Sequence, residues 1–213
     1  FDPAAFEPAA LEEDKPRFSR RRALTWGGGA AAAASLAALG VSLPAGAVTS
    51  TKRGEIRLAP LPDGSTVLLN TDSKIRVHYD DKERFVALLR GEAYFSVARD
   101  ESRPFVVEVN GRKLRTAQGG FRVRKLDATP VDILVNQGRV DVTAVATKPV
   151  ALQANTRLVM ADNPFDGRPP VLLPQPIPPE AVTRELAWRE GRLAFEGETL
   201  KQAAAAFARY SDT

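Results

Sequence analysis

The segments LPDGSTVLL (residues 61–69) and LRGEAYFSV (residues 89–97) decide the fold of this chain. In each of them a turn leads into a strand. Proline presets φ and glycine tolerates a positive φ, so Pro62 and Gly64 predict a tight turn. Thr66–Leu69 and Ala93–Val97 then carry the apolar, β-branched and aromatic residues that favour strands. Neither segment contains a group that usually performs catalysis.

Short strands between turns continue from 55 to 161. Phe85–Leu89 is continuously apolar and is expected to lie centrally in a sheet, whereas most other runs alternate apolar and polar residues. The dipeptide Asn110-Gly111 predicts a hairpin, and Asn136-Gln137-Gly138 predicts a further turn between two strands. The remaining predicted strands are 74–79, 105–109, 113–117, 121–124, 131–135, 140–144, one near 152, and 158–160.

This pattern predicts a mainly β domain over residues 52–162. Turn signals recur about every 8 to 12 residues, as in antiparallel sandwiches and barrels. The segment has no helical crossover of the length that a parallel sheet requires. We therefore predict an antiparallel β-sandwich or open barrel, preceded by one membrane-spanning helix and followed by the start of a small α+β domain.

Composition excludes some classes of site. The 213 residues include no cysteine, so disulfides and thiolate metal sites are excluded. The formal net charge is only +4, and basic residues are scattered except between 15 and 22. No basic helix or aromatic platform accompanies them, so direct binding of nucleic acid is not expected.

An uncharged segment near the N-terminus predicts a membrane anchor. No residue from Ala23 to Thr51 is charged, which suffices for a helix to cross a hydrocarbon core of about 30 Å. Basic residues cluster just before it, and only Lys52 and Arg53 follow closely. The positive-inside rule then makes 1–22 a cytoplasmic tail and 23–48 a transmembrane helix, with residues from about 50 across the membrane.

Two other interpretations of this segment stay open. Ala45-Gly46-Ala47 is a small-x-small sequence, so the segment could be an export signal cleaved after Ala47, and Ser19–Leu24 is similar to a twin-arginine signal. A secreted β-rich binding module would result. The third interpretation is an alanine-rich soluble helix, which Gly27–Gly29 and the basic flank disfavour.

The C-terminal part predicts a second folded unit. Residues 163–180 are dense in proline and are interpreted as a semi-rigid linker, with an edge loop of the same domain as the alternative. Residues 181–213 then begin a βα unit, with a strand over Trp188–Phe195 and a helix after Thr199, which forms a capping box with Gln202. The apolar positions proposed to contact a partner are Trp188, Leu193, Phe195, Leu200, Phe207 and Tyr210.

No catalytic, cofactor or metal site is predicted. His78, the sole histidine, lies on the polar side of an alternating strand, where a solvated side chain is expected. The acidic turn at 80–83 and the segment 162–167 lack the ligand spacing of a calcium loop. The β-rich part therefore has the character of a binding or signalling module, and we do not expect an enzyme.

From about Gly54 onward the chain resembles the FecR-type anti-sigma regulators of bacterial cell-surface signalling. Val135–Val140 and the Trp188-to-Tyr210 pattern are similar to later segments of the family. The residues that carry its signature, each expected to have a structural role, are Leu61, Pro62, Asp63, Gly64, Ser65, Arg90, Gly91, Glu92, Ala93, Phe95, Pro104 and Phe105.

The resemblance implies a regulator with one pass through the bacterial inner membrane and a periplasmic sensing part. Its cytoplasmic domain would bind an extracytoplasmic-function sigma factor, and its periplasmic part would sense the signalling domain of a TonB-dependent outer-membrane transducer. No cofactor is implied.

Two departures from the family change these expectations. Only residues 1–22 precede the membrane segment, so we expect a fragment that lacks the helical sigma-binding domain. Some relatives cleave themselves at a Gly-Thr bond in the strand that corresponds to Gln118–Val123. Gly119-Gly120 stands there, and because Gly120 has no hydroxyl nucleophile, self-cleavage at this bond is not expected.

Overall fold

The structure is a computed structural model that describes residues 43, 44, 46–144, 147–160 and 172–211. Its strands are β1 (Val48–Ser50), β2 (Arg57–Pro60), β3 (Thr66–Leu69), β4 (Lys74–Tyr79), β5 (Arg84–Val97), β6 (Phe105–Val109), β7 (Arg112–Thr116), β8 (Gly119–Lys125), β9 (Val131–Thr143), β10 (Val150–Gln153), β11 (Thr156–Met160) and β12 (Gln175–Pro176). Its helices are α1 (Pro179–Glu185), a 3-10 helix (Ala187–Glu190) and α2 (Leu200–Ala208).

Two long, bent strands belong to two sheets at once. The first half of β5 pairs with β4 and β6, and its second half pairs with β3 and β8. Likewise, β9 pairs first with β8 and β11 and then with β7 and β10. Sheet A therefore contains β1, β4, β6, β7 and β10, sheet B contains β2, β3, β8, β11 and β12, and β5 and β9 connect them.

These shared strands close a barrel. The pairings β5–β6, β6–β7, β7–β9, β9–β8 and β8–β5 form a complete ring of five strands. The prediction of a mainly β chain is confirmed. The barrel is closed rather than open, because each bent strand supplies pairing edges to both sheets.

Glycine makes the two bends possible. Gly91 has φ +89° and Gly138 has φ +77°, values that side-chain-bearing residues rarely adopt. A Cβ at position 91 would lie 2.5 Å from the Cα of Ser73, and one at 138 would lie 2.8 Å from the backbone oxygen of Gln118. The turn predicted at Asn136-Gln137-Gly138 is therefore wrong: the glycine marks a corner inside one strand, not a break between two.

One strand pair in the barrel is parallel, which the sequence pattern did not predict. After Val97 the chain crosses from sheet B back to sheet A, and β6 then runs parallel to the first half of β5, with Phe85 opposite Val106. No helix is needed for this crossover, because the second half of β5 has already carried the chain to the other sheet.

Several local predictions are confirmed. Asn110 and Gly111, with φ of +49° and +72°, form the tight turn between β6 and β7. The Leu61–Ser65 turn closes the β2–β3 hairpin, where the Leu61 nitrogen donates to the Ser65 oxygen at 2.9 Å. Between the sheets, the ring of Phe95 stacks on Phe121 at 5.1 Å and meets the edge of Phe105 at 6.1 Å.

The β body begins earlier than predicted. The Leu43 nitrogen donates to the Pro60 oxygen at 3.0 Å, the Gly46 nitrogen donates to the Val77 oxygen at 2.7 Å, and Val48 begins β1. The predicted membrane helix therefore does not extend to 48, and its remainder, residues 23–42, lies outside the described residues. No helix in the described ranges is both long and apolar enough to cross a membrane.

The C-terminal part is attached to the body. Of the predicted linker, residues 172–180 are described: β12 pairs with β11, and the Ile177 nitrogen donates to the Asn155 oxygen at 2.9 Å. The strand predicted over Trp188–Phe195 is wrong, because Trp188 lies in the 3-10 helix and is buried against sheet B. The helix with its Thr199–Gln202 capping box is confirmed.

Candidate functional site

The outer face of sheet B is the surface on which the C-terminal segment lies. Strand register places Leu58, Leu68, Tyr94, Arg122 and Leu134 side by side across five neighbouring strands. Side chains alternate between the two faces of a strand, and the neighbours Phe121 and Val123 point into the barrel core. The five side chains that begin with Leu58 therefore lie on the outer face of sheet B.

Apolar side chains hold the first part of the C-terminal segment on this face. Val182 and Leu186, from α1 and the residue after it, join Trp188 in a buried cluster with Tyr94 and Leu134 of the sheet. Burial of a large apolar side chain stabilises by about 1.5–3 kcal/mol. This attachment is therefore firm, and it makes an otherwise solvated sheet face into a second core.

A network of buried charges lies beside that cluster. Arg122, which is fully buried, contacts Asp132 at 2.8 Å, Glu185 of α1 at 2.9 Å and Glu92 at 3.4 Å. Arg124 and Arg157 both approach Asp132, at 2.6 and 2.8 Å. The cations come from β8 and β11 and the anions from β5, β9 and α1, so the network ties α1 to the barrel.

The network determines the charge state of its members. Burial alone raises the pKa of Asp132, but the charge of Arg122 and the hydrogen bond from Arg157 outweigh it and hold that pKa below the usual value. Burial likewise acts against the charge of Arg122, whereas Asp132, Glu92 and Glu185 raise its pKa above the usual value. Arg122, Asp132 and Glu92 are therefore charged at neutral pH, and removal of Arg122 would leave buried carboxylates without their common cation.

Glu92 connects this network to the end of the C-terminal segment. One of its oxygens, Oε2, accepts from Arg209 Nη2 at 2.7 Å and from Asn70 Nδ2 at 3.0 Å. The Asn70 amide also donates to Tyr210 Oη at 2.9 Å, and Thr71 Oγ1 donates to the Arg209 backbone oxygen at 2.8 Å. Glu92, Asn70 and Thr71 thus anchor the two residues that follow α2.

A groove of about 700 Å³ runs between sheet B and the C-terminal segment. Ile56 and Leu68 line it on the side of the sheet. Four of the six residues that the sequence proposed for partner contact line it on the other side: Trp188, Leu193, Phe207 and Tyr210. The groove is thus mainly apolar, with Arg189, Glu190 and Arg192 at its charged part.

The two other proposed contact residues lie outside the groove. Leu200 is 91% exposed and lies at the start of α2. Phe195 is 40% exposed and packs its ring on that of Phe207, with 5.7 Å between centroids. The contact role of all six residues stays a prediction, but the structure groups four of them and separates two.

The signature residues have structural roles that explain their chemistry. The carboxylate of Asp63 accepts from Ser65, Tyr79 and the buried Arg84, whose Nη1 lies 2.7 Å away. This pair fastens the Leu61–Ser65 turn to the start of β5. Gly91 forms the corner of β5, and Glu92 beside it lies on the same face of sheet B as Tyr94, where it joins the charge network.

The sole histidine and the acidic side chains are the groups from which a reactive or metal site could be built. His78 is exposed on β4, as predicted. In the described ranges, no cluster of acidic or histidine side chains could hold a metal ion. At the position of self-cleavage in relatives, a Cβ on Gly120 would lie 2.9 Å from Asn136 Oδ1, which accepts from Tyr94 Oη at 3.1 Å. A hydroxyl side chain would therefore have to displace this pair.

Sequence reasoning missed the buried charges. Arg122 and Arg124 alternate with Phe121 and Val123, a pattern that predicts a polar, solvated face. That face is covered only because a segment 60 or so residues later folds over it, as the Arg122–Glu185 separation of 63 residues illustrates. The recurrence of arginine at 122 and 124 on one face of a strand could have indicated that another segment covers this face and supplies carboxylates to it.

Comparison with known proteins agrees with this architecture. The family model "FecR protein" matches residues 47–141. Two crystal structures, each of a candidate anti-sigma factor from Parabacteroides distasonis ATCC 8503, share the fold. The first has a TM-score of 0.66 and 24% identity and covers 78% of this chain and 75% of the other. The second has a TM-score of 0.65 and 23% identity and covers 77% and 74%. A search of the curated proteins finds no match.

Proposed function

We propose that this chain, whose residues 47–141 match the FecR family model, regulates an extracytoplasmic-function sigma factor by relaying a signal across the bacterial inner membrane. In this proposal the β body and the C-terminal segment lie in the periplasm and receive the signal from a TonB-dependent outer-membrane transducer. A region before the membrane segment holds the sigma factor. The role is regulatory and not enzymatic.

The observation that carries the proposal is the groove between the FecR body and the C-terminal segment. It brings together apolar residues from both parts, Ile56 and Leu68 from one and Trp188 and Phe207 from the other. Exposed apolar surface that is bordered by polar residues commonly marks a site of protein–protein interaction. The FecR domain, the uncharged segment 23–48 and the fold shared with candidate anti-sigma factors support the regulatory part of the proposal.

A reporter gene under the control of the sigma factor tests the proposal in the native host. Phe207→Ser removes an apolar side chain from the groove, and Leu200→Ser removes one from the same helix but outside the groove. We expect Phe207→Ser to lose most of the induction by the transducer and Leu200→Ser to retain it. Deletion of residues 186–213 should abolish induction.

Unchanged induction in the deletion variant would contradict a receiving role for the C-terminal segment. Equal loss in both serine variants would mean that the exposed face of α2, rather than the groove, is what the partner meets. Mass spectrometry of the native protein tests the membrane part separately. A mature chain that begins at Val48 would favour the secreted binding module released after Ala47.

A further inference from the structure

α2 differs from the rest of the C-terminal segment in how it is packed. None of its nine residues is buried, and its largest apolar side chains, Leu200 and Phe207, are 91% and 57% exposed. Two spaces flank it: the apolar groove on one side and a polar cleft of about 190 Å³ on the other. The cleft is lined by Glu92, Arg124 and Glu185, so it opens directly onto the buried charge network.

The contacts that hold α2 follow it in the chain. Arg209 binds the carboxylate of Glu92, Tyr210 binds Asn70, and Thr71 binds the backbone oxygen of Arg209. On the other side of the helix, the connection 191–199 contains Gly191 and Gly197, with φ of +70° and +83° and open space around both. An exposed ion pair between Arg184 and Glu196 also crosses this connection, but exposed pairs contribute little.

We propose that α2 is a hinged lid, latched to the FecR domain by Glu92, Asn70 and Thr71, and that its opening uncovers the groove floor at Ile56 and Leu68. The connection 191–199 is the hinge, and α1 with the 3-10 helix stays on the sheet. Opening exposes little new apolar surface on α2 itself, because that surface is already in solvent. The main free-energy cost of opening is the loss of the polar contacts that Glu92, Asn70 and Thr71 make with the residues after α2.

The proposal concerns the chain's own conformations and does not depend on the signalling role. A helix of nine residues is not stable alone in water, so a released α2 loses its hydrogen bonds and exchanges its amide protons. Hydrogen exchange of residues 203–208 in the full chain therefore measures opening.

Arg209→Gln weakens the latch while it keeps the backbone contact to Thr71. We expect the α2 amides to exchange at least about tenfold faster. The loss of a hydrogen bond to a buried charged group changes an equilibrium constant by about tenfold or more. Tyr210→Phe removes only the hydroxyl and should accelerate exchange about threefold. The matched control is Arg90→Gln, which breaks a half-exposed pair with Asp72 and should change exchange by less than about twofold.

A second measurement separates a lid from a helix that frays in place. The chain contains no cysteine, so Leu68→Cys gives a single thiol on the groove floor. We expect a small thiol reagent to label it faster in the Arg209→Gln background and at an unchanged rate in the Arg90→Gln background.

Three results would overturn the proposal. The first is α2 exchange that does not differ between Arg209→Gln and Arg90→Gln. The second is equal acceleration of the amides in β5 and β8, which would mean that the latch stabilises the barrel rather than a lid. The third is faster α2 exchange with unchanged labelling of Leu68→Cys, which would mean that the helix frays without opening the groove.

Discussion

The barrel and the C-terminal segment are held together by different means. In the barrel, alternate residues of paired strands fill one apolar core, and backbone hydrogen bonds close the ring. After Ile177, whose nitrogen donates to the Asn155 oxygen, the C-terminal segment is held by the apolar side chains of Val182, Leu186 and Trp188 and by the charge network. We therefore expect the barrel to stay folded under conditions in which part of the C-terminal segment detaches.

The largest effect should come from the corner of β5. Gly91→Val places a β-branched side chain at φ +89° and within contact range of the Ser73 backbone, so we expect loss of the folded protein. Soluble yield and circular dichroism measure this. Gly64→Ala is the control, because Gly64 has φ +82° but open space around it and should cost only about 1 kcal/mol. A folded Gly91→Val protein would show that the corner is not required for closure of the barrel.

A smaller but still large effect should come from Arg122. Arg122→Met leaves Asp132, Glu92 and Glu185 without their common cation, and we expect a loss of about 3–5 kcal/mol in the free energy of unfolding by urea. Arg139→Met, which breaks an exposed pair with Asp141, should cost less than about 0.5 kcal/mol. Equal costs for the two variants would remove the distinction between the network and ordinary surface pairs.

Acid should loosen the segment with a smaller effect than either substitution. Glu92 is penalised by burial, but Arg122, Arg209 and Arg124 hold its pKa below the usual value, and the pKa of Asp132 is lowered as well. Carboxylates with a lowered folded-state pKa contribute stability that is complete above the unfolded-state pKa and is lost as the pH falls through the folded-state pKa.

We therefore expect the free energy of unfolding to be flat from pH 7 to about pH 5 and to fall at lower pH. The barrel has its own carboxylate of this kind, Asp63, which Ser65 and Arg84 hold at a lowered pKa despite its burial. In a Trp26→Phe background, the fluorescence of Trp188 should change before the far-ultraviolet circular dichroism of the strands as the pH falls, because the segment depends on the charge network whereas the barrel also has its apolar core and strand pairing. Simultaneous changes would mean that the two regions respond as one unit. Glu92→Gln should flatten the fluorescence profile.

Turns and helix caps were predictable from the sequence, but the contacts between segments that are distant in the chain were not. The Asn110-Gly111 hairpin, the Leu61–Ser65 turn and the Thr199–Gln202 cap each depend on residues within a few positions of one another. Gly91 and Gly138 were visible as signals, but a glycine in a strand can mark an end or a corner. Pairing partners far along the chain decide between them.

The candidate site divides in the same way. The apolar positions of the C-terminal segment were proposed for partner contact, and two of them, Leu200 and Phe207 of α2, are exposed. Ala203 and Ala206 are partly buried, whereas Leu200 and Phe207 are exposed. Amphipathic spacing identifies a helix and its apolar stripe, but here polar contacts beyond the helix, at Arg209 and Tyr210, set its orientation.

The separation of Glu92 from Arg209 also bears on the order in which the molecule assembles. The two residues are 117 positions apart, whereas every strand of the barrel ring lies between residues 84 and 143. The ring can therefore close while the rest of the chain is still being made, with the Glu92 carboxylate open to water. In this order of assembly, the C-terminal segment packs on a barrel that has already formed. The contact of Arg209 with Glu92 then removes water from the Glu92 carboxylate. We therefore expect the contact between Glu92 and Arg209 to form late in folding and to be lost early when α2 opens.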